Sequence, residues 1–191
     1  MSTKSIMIVG VGGQGTLLAS RILGAALVST GCDVKVSEVH GMSQRGGSVV
    51  TYVRYGEAVA SPIIEKGEAD LLLSFEQLEA ARWLPYLKTD GKMIVNTQKM
   101  DPMTVISGAT SYPEGVLDAL SAAGADVTAI DALSLAVEAG SAKAVNVVLI
   151  GVLASKTDIA KDVWLSALRE TVPPKFLEMN LKAFELGWQK G

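Results

Sequence analysis

Cysteine and histidine are nearly absent from this chain of 191 residues, which contains one of each, Cys32 and His40. An iron–sulfur cluster normally takes four thiolate ligands, and a structural zinc site takes four cysteine or histidine ligands. The chain alone therefore has too few ligands for either kind of centre, and we expect no metal site in it. Cys32 is expected to be a small buried side chain at the start of a strand.

Charged residues are also scarce, at 19% of the chain, and the net charge is −3. Binding of nucleic acid requires clustered lysine and arginine that neutralise phosphates, so a nucleic-acid partner is not expected. No apolar run reaches the roughly 18 residues of a membrane-spanning helix. The first residues become glycine-rich too soon for a secretory signal peptide. These features predict a cytoplasmic protein with no membrane partner.

Apolar residues are abundant, at 49% of the chain. A sheet that is buried on both faces, a large subunit interface, or both would cover this excess. The length favours one domain, and we expect residues 1–191 to form it, with a helical part from about residue 131.

The order of apolar runs and turn residues predicts an α/β fold. An apolar strand at 5–10, a helix at 14–30 and a strand at 33–39 form a βαβ unit, whose two strands should run parallel by the right-handed crossover rule. Residues 48–55 are expected to turn at 56–57 into a second hairpin strand at 58–61. Further strands are predicted at 70–75, 92–96 and 127–130. The expected architecture is a Rossmann-like three-layer domain with a mixed, mainly parallel sheet and a helical C-terminal part.

Residues 10–15 (Gly-Val-Gly-Gly-Gln-Gly) match the pattern G-x-G-x-x-G between a strand and a helix. Glycines let a phosphate approach the backbone, and the helix N-terminus supplies partial positive charge. The candidate cofactor-binding residues here are Gly10, Gly12, Gly13, Gln14 and Gly15. A nicotinamide dinucleotide would also require an acidic residue at the end of the second strand, where Glu38 is the nearest match. A dinucleotide, another phosphate or carboxylate ligand, and a tight turn that only glycine fits all remain open.

Residues 38–47 (Glu-Val-His-Gly-Met-Ser-Gln-Arg-Gly-Gly) follow the second strand without a helix. The ends of parallel strands meet at one edge of a sheet, so this loop and the glycine-rich loop should face one crevice. The candidate binding residues added by this loop are Glu38, Ser43, Gln44, Arg45 and Gly46. The Arg45 guanidinium can clamp a carboxylate or phosphate, or it can pair with Glu38. His40 lacks a neighbouring nucleophile in a strand-to-helix elbow, so no catalytic residue is assigned.

These two loops resemble the gamma-type domain of 2-oxoacid:ferredoxin oxidoreductases. Residues 70–75 (Asp-Leu-Leu-Leu-Ser-Phe), 93–96 (Met-Ile-Val-Asn) and 146–151 (Asn-Val-Val-Leu-Ile-Gly) match the same family in the same order. The second loop is most similar to that of the small subunit of the indolepyruvate type. The resemblance covers nearly the whole chain.

The resemblance implies a subunit that is inactive alone. In such enzymes a larger subunit carries thiamine diphosphate, magnesium and the iron–sulfur clusters, coenzyme A is a co-substrate, and ferredoxin is reduced through the complex. We expect the backbone amides of residues 12–15 and the Arg45 guanidinium to receive an anionic group of coenzyme A or of the oxoacid. Two other hypotheses are a stand-alone Rossmann-like oxidoreductase that uses NAD(P) and a non-catalytic ligand-binding module.

Overall fold

The computed structural model describes residues 2–41 and 46–191. Within these ranges the chain forms six strands and eight α-helices. The strands are β1 (Lys4–Val11), β2 (Asp33–His40), β3 (Ser48–Gly56), β4 (Ala69–Ser74), β5 (Leu87–Asn96) and β6 (Asp126–Ile130). The helices are α1 (Thr16–Ser29), α2 (Gln77–Trp83), α3 (Met103–Ile106), α4 (Val116–Ala122), α5 (Ala132–Ala139), α6 (Val145–Ser155), α7 (Lys161–Thr171) and α8 (Leu177–Trp188).

The strands form one sheet in the order β2-β3-β1-β4-β5-β6. Three of the five neighbouring pairs are parallel, and the two pairs that involve β3 are antiparallel. All strands except β3 therefore end at the same edge of the sheet, which we call the carboxyl edge; the opposite edge is the amino edge. The predicted fold class, α/β with a mixed and mainly parallel sheet, is confirmed, and the chain is helical after β6.

The position of β3 differs from the sequence-based expectation in two respects. β1 and β2 run in the same direction, as predicted, but they are not neighbours, because β3 lies between them. The predicted second hairpin strand at 58–61 is wrong: these residues are not in a strand. Both sides of β3 are already paired with β1 and β2, so no backbone donors or acceptors of β3 remain for a further neighbour.

Alternating side chains of β1 fill two separate cores. Ile6 and Ile8 point to one face, where they pack with α1 and the C-terminal helices, and Met7 and Val9 point to the other face. This period of two is the geometry of a strand that is buried on both sides. Burial on both faces accounts for much of the apolar composition.

Helix α6 lies within the first core and is buried on all sides, from Val145 to Ala154. This buried helix belongs to the helical C-terminal part that the sequence predicted from about residue 131. Asp131 caps α5, since its carboxylate accepts a hydrogen bond from the Ser134 amide at 3.0 Å. Within the residues that the structure describes, no helix is both long and apolar enough to cross a membrane.

Candidate functional site

The glycine loop, residues 10–15, connects the end of β1 to the start of α1 at the carboxyl edge. Gly15 has a φ of +83°, which an L side chain rarely adopts. A Cβ atom at Gly15 would lie 2.6 Å from Asn146 Nδ2, and that amide donates a hydrogen bond to the Gly15 carbonyl at 3.3 Å. Glycine is therefore needed at this position for backbone conformation and for the close approach of α6.

Several polar groups of the glycine loop are bonded within the protein. Gln14 Oε1 accepts a hydrogen bond from the Val11 amide at 2.8 Å, and Gln14 Nε2 donates to the Phe75 carbonyl at 3.1 Å. The Gly12 amide donates to the Gly47 carbonyl at 2.9 Å. The Gln14 side chain thus fastens the loop to the end of β4, and its role as a direct ligand contact stays a prediction.

Other donors of the same loop are left open. In the described part of the chain, the backbone amides of Gly13, Gly15 and Thr16 have no acceptor. They lie at the N-terminus of α1, a helix of 14 residues, where the first amides have no partner inside the helix. Amides in this position favour an anionic group.

Gly13 and Gly15 border a cleft with a volume of about 670 Å³, which we call the glycine-loop cleft. Its lining residues are Gly12, Gly13, Gln14, Gly15, Gly46, Gln98, Met100, Leu133, Ala142, Lys143 and Val145. Lys143 is the one cationic side chain among these described lining residues, and it lies just before α6. The cleft therefore combines backbone donors, one positive charge and apolar walls.

The described residues of the second loop, 38–41 and 46–47, end near the glycine loop. Ser48, the first residue of β3, pairs with Val11, and Gly46 lines the glycine-loop cleft. Ser43, Gln44 and Arg45 lie outside the described residues, so their predicted binding role stays a prediction. Both flanks of the loop nevertheless reach the edge of the sheet where the glycine loop lies.

Glu38 and His40 occupy the edge strand β2. The Thr51 hydroxyl donates a hydrogen bond to Glu38 Oε2 at 3.2 Å, and Thr51 lies on β3. His40 is exposed and pairs with Val49 across the β2–β3 ladder. Because β3 separates β2 from β1, Glu38 lies about 10 Å from the β1 axis rather than the roughly 5 Å of an adjacent strand. Its cofactor-binding role stays a prediction. A cofactor at the glycine loop would have to extend farther from β1 to contact Glu38 than the sequence indicated.

Sequence reasoning missed two buried carboxylates that follow β4. Glu76 and Glu79 are 1% and 4% exposed. Glu76 accepts hydrogen bonds from the Tyr112 hydroxyl and from the Met100 amide at 3.2 Å. Burial raises the pKa of Tyr112, and its hydrogen bond to Glu76 raises that pKa further. One feature of the sequence indicated that Glu76 lies near a site: it follows the end of a buried strand at the carboxyl edge, where ligands bind in such sheets.

Glu79 has a different set of partners. It accepts hydrogen bonds from the Ser48 hydroxyl, from Arg82 Nε at 3.0 Å and from Trp83 Nε1 at 3.3 Å. With Glu76 it borders a smaller compartment of about 210 Å³, which shares Gly46 and Met100 with the glycine-loop cleft. The carboxyl edge thus presents two adjoining compartments.

The described residues of this chain do not fit the ligand set of a redox metal centre. Among residues 2–41 and 46–191, no group of three histidine, cysteine, aspartate or glutamate side chains is placed to hold a metal ion. Cys32, the single cysteine, is half-buried rather than fully buried as expected, and its sulfur accepts a hydrogen bond from the Thr30 hydroxyl at 3.3 Å. One thiol cannot ligate an iron–sulfur cluster.

An open α/β sheet with a glycine-rich loop and a cleft at its carboxyl edge is typical of Rossmann-like proteins. The family model of pyruvate ferredoxin/flavodoxin oxidoreductase matches residues 5–190 of this chain. The chain therefore belongs to this family, and the family that the two loops predicted is confirmed. It is a gamma-type subunit within that family of oxidoreductases.

Relatives and solved structures agree with this assignment. Indolepyruvate oxidoreductase subunit IorB of Thermococcus kodakarensis is 43% identical, over 98% of this chain and 95% of the relative. The gamma subunit of a keto/oxoacid ferredoxin oxidoreductase from Geobacter sulfurreducens superposes with a TM-score of 0.73 at 25% identity, covering 98% of this chain and 97% of that subunit.

The same fold also occurs inside a much longer polypeptide. The 2-oxoglutarate:ferredoxin oxidoreductase of Magnetococcus marinus, whose structure contains 2-oxoglutarate, coenzyme A and succinyl-CoA, matches with a TM-score of 0.75. The match covers all of this chain and only 31% of the longer one. At 18% identity it shows a shared fold alone.

Proposed function

We propose that this chain is the small subunit of an indolepyruvate:ferredoxin oxidoreductase. The observation that carries the proposal is the 43% identity to subunit IorB along nearly the full length of both chains. The enzyme would convert an aryl 2-oxoacid and coenzyme A into acyl-CoA, carbon dioxide and a proton, and pass two electrons to ferredoxin. The C–C bond beside the carboxylate breaks, and a thioester bond forms.

In this proposal a larger subunit carries thiamine diphosphate, magnesium and the iron–sulfur clusters. The single cysteine and single histidine of this chain support that division, because clusters and metal sites need more ligands. The whole chain, residues 1–191, would act as one gamma-type domain beside the larger subunit, and ferredoxin would be reduced through the complex. A location in the cytoplasm stays a prediction.

The contribution proposed for this subunit is an anion site in the glycine-loop cleft. Gly13 and Gly15 line the cleft, their amides have no acceptor among the described residues, and Lys143 adds a positive charge. We expect these groups, with Arg45 from the second loop, to receive a phosphate of coenzyme A or the carboxylate of the oxoacid. Hydrogen bonds that involve a charged partner are about twice as strong as neutral ones.

A co-purification experiment with an activity assay tests the subunit assignment. This chain is co-expressed with a candidate large thiamine-dependent subunit that contains cysteine motifs, and 2-oxoacid-dependent reduction of ferredoxin is measured. We expect a stable complex that prefers indolepyruvate to pyruvate and 2-oxoglutarate, and no activity from this chain alone. Turnover of an oxoacid or reduction of a nucleotide by the isolated chain would contradict the assignment.

Isothermal titration of the assembled complex tests the anion site. The variant Arg45→Ala should bind coenzyme A or the oxoacid about tenfold more weakly, the loss typical of one hydrogen bond to a charged group. Lys175→Ala is a suitable control, since Lys175 is a lysine of the C-terminal helical part that does not line the cleft. Unchanged affinity for both ligands in Arg45→Ala would remove Arg45 from the site.

The strand order argues against a stand-alone NAD(P) enzyme. In a dinucleotide-binding Rossmann fold, the acidic residue that binds the ribose ends the strand next to the glycine loop. Here that place is taken by antiparallel β3, and Glu38 bonds with Thr51. We therefore expect no saturable binding of NAD⁺ or NADP⁺ by this chain.

A further inference from the structure

The junction between β4 and α2, residues 75–77, is buried although two of its three side chains are polar. Phe75, Glu76 and Gln77 are 0%, 1% and 5% exposed. A buried carboxylate is strongly disfavoured unless its oxygens accept hydrogen bonds. The contacts of Glu76 therefore indicate what this side chain does in the folded protein.

Glu76 connects three segments of the chain. One carboxylate oxygen accepts a hydrogen bond from the Glu79 amide at 2.9 Å, which caps α2. The other oxygen accepts from the Met100 amide at 3.2 Å and from the Tyr112 hydroxyl. All three donors are uncharged groups of this chain. Glu76 is thus fully engaged inside the protein and ties residues near 100 and 112 to the end of β4.

The other two junction residues hold the same part of the molecule. The Phe75 carbonyl accepts hydrogen bonds from Gln14 Nε2 and from Asn96 Nδ2, both at 3.1 Å. The Gln77 amide donates to the Gln98 carbonyl at 3.3 Å. Gln14 belongs to the glycine loop, whereas residues 97–100, which we call the wall segment, form another side of the glycine-loop cleft through Gln98 and Met100.

We propose that junction residues 75–77 set the width of the glycine-loop cleft and that Glu76 is the positioning residue for its wall segment. Two sides of the cleft are fastened to three consecutive residues: the glycine loop through Gln14 and the wall segment through Glu76 and Gln77. Glu76 does not line the glycine-loop cleft itself, so it acts through the Met100 amide. The effect of this positioning on coenzyme A rests on the proposed function; the positioning itself does not.

A carboxylate suits this place better than its amide analogue. Both oxygens of Glu76 face N–H or O–H donors, so replacing one oxygen by an amide NH2 sets a donor against a donor. The Tyr112 hydroxyl can rotate to accept from such a group, but the Met100 and Glu79 amides cannot. Glu76→Gln should therefore lose at least one backbone hydrogen bond with almost no change of side-chain volume.

Hydrogen–deuterium exchange of the full chain, assembled with its large subunit, tests this positioning role. The variants are Glu76→Gln and Tyr112→Phe, and the control is Tyr55→Phe, which removes the same hydroxyl from a half-buried tyrosine at the amino edge. We expect exchange in the peptide that contains Met100 to become about tenfold faster in Glu76→Gln, the factor for one lost hydrogen bond to a charged group. For Tyr112→Phe we expect about threefold, and for Tyr55→Phe no local change.

Steady-state kinetics of the same complexes separate positioning from a general loss of structure. If coenzyme A binds in the cleft, its KM should rise about tenfold in Glu76→Gln and about threefold in Tyr112→Phe, while kcat stays within about twofold, in line with the hydrogen bonds lost. Faster exchange confined to the wall segment, with KM unchanged, would support the positioning role and contradict coenzyme A binding in this cleft. Unchanged exchange at Met100 in both variants, or faster exchange spread evenly over the chain, would overturn the inference.

Discussion

The two edges of the sheet carry different kinds of polar group. The carboxyl edge has a cleft of about 670 Å³ bordered by backbone amides and one lysine. The amino edge has a pocket of about 230 Å³ that is bordered by four lysines and three aspartates. These charged residues are Lys4, Lys88, Lys92, Lys156, Asp70, Asp90 and Asp158. By charge alone the amino edge would be the better candidate for a binding site.

The hydrogen bonds favour the carboxyl edge as the binding site instead. At the amino edge, Asp70 accepts a hydrogen bond from the Ser5 amide at 2.7 Å and pairs with Lys88 at 2.6 Å and Lys4 at 3.7 Å. Part of the charge there thus joins the starts of β1, β4 and β5 to one another. At the carboxyl edge, the Gly13 and Gly15 amides have no acceptor in the described part of the chain. Unused donors, rather than the number of charges, distinguish the candidate ligand site.

The largest expected effect compares the two ends of α1. Gly15→Ala places a side chain at a φ of +83° and within 2.6 Å of Asn146 Nδ2, whereas Gly31→Ala has the same φ of +83° and no atom within 4 Å. Gly31→Ala should cost about 1 kcal/mol of unfolding free energy from backbone strain alone, and Gly15→Ala about 3 kcal/mol because the clash adds to the strain. Chemical denaturation measures both values. Equal losses would mean that the contact with α6 adds nothing to the need for glycine.

The second prediction concerns the amino edge at alkaline pH. Burial, and then the charge of Asp70, raises the pKa of Tyr55 to about 12, against about 10 in an unfolded chain. Above pH 10 the unfolded chain ionises at this position and the folded chain does not, so the free energy of unfolding falls as pH rises from 10 to 12. Because Tyr55 is partly exposed, we expect a contribution of roughly 1 kcal/mol.

Tyr55→Phe isolates this contribution, since the lysines and the other tyrosines titrate alike in both proteins. Urea denaturation at pH 9 and pH 11.5 should show a smaller loss of stability for the variant than for the unchanged chain. Identical pH dependence of the two proteins would show that the Tyr55 hydroxyl is not held in the neutral form by the fold.

Local patterns in the sequence predicted much of this architecture. The apolar run and glycines around residues 10–15 fix a strand, a turn and a helix, because each depends on neighbours along the chain. The common edge at which β1 and β2 end follows from the parallel direction of the two strands. The family resemblance rests on the same two loops.

Non-local pairing and buried polar groups were not predictable from local patterns. The insertion of β3 between β1 and β2 depends on which strands meet across the sheet, which alternation along Ser48–Gly56 does not encode. Glu76 and Glu79 look like surface residues of an amphipathic helix, because only the folded chain brings the Met100 amide and the Ser48 hydroxyl to them. Lys143 lies far along the chain from the glycine loop, so its place in the cleft also depends on the fold.

A third prediction replaces one lysine at each edge of the sheet by alanine. Lys143→Ala should weaken binding of the anionic ligand to the complex about fivefold, with little change in stability, because one partly screened charge is lost from the cleft. Lys88→Ala should leave binding unchanged and lower the free energy of unfolding by about 0.5 kcal/mol, since Lys88 and Asp70 are partly exposed. Titration calorimetry and denaturation of both variants give the four values. A loss of ligand affinity in Lys88→Ala would move the site to the amino edge.

The smallest effect on the free energy of unfolding is expected from Asp131, at the carboxyl edge, at acidic pH. Hydrogen bonds from the Ser134 hydroxyl, and then from the Ser134 amide, lower the pKa of Asp131. A lowered pKa means that the folded chain favours the carboxylate, so this stabilisation is present above the unfolded value of about 3.9 and is lost as pH falls below it. Asp131 is largely exposed, and solvent screening limits the effect to a few tenths of a kcal/mol. Asp131→Asn keeps a capping oxygen without the charge, so denaturation at pH 6 and pH 3 should show a slightly weaker acid dependence for the variant. An equal slope would mean that the cap at this edge acts through its hydrogen bond alone, in contrast to the charge-dependent Tyr55 at the other edge.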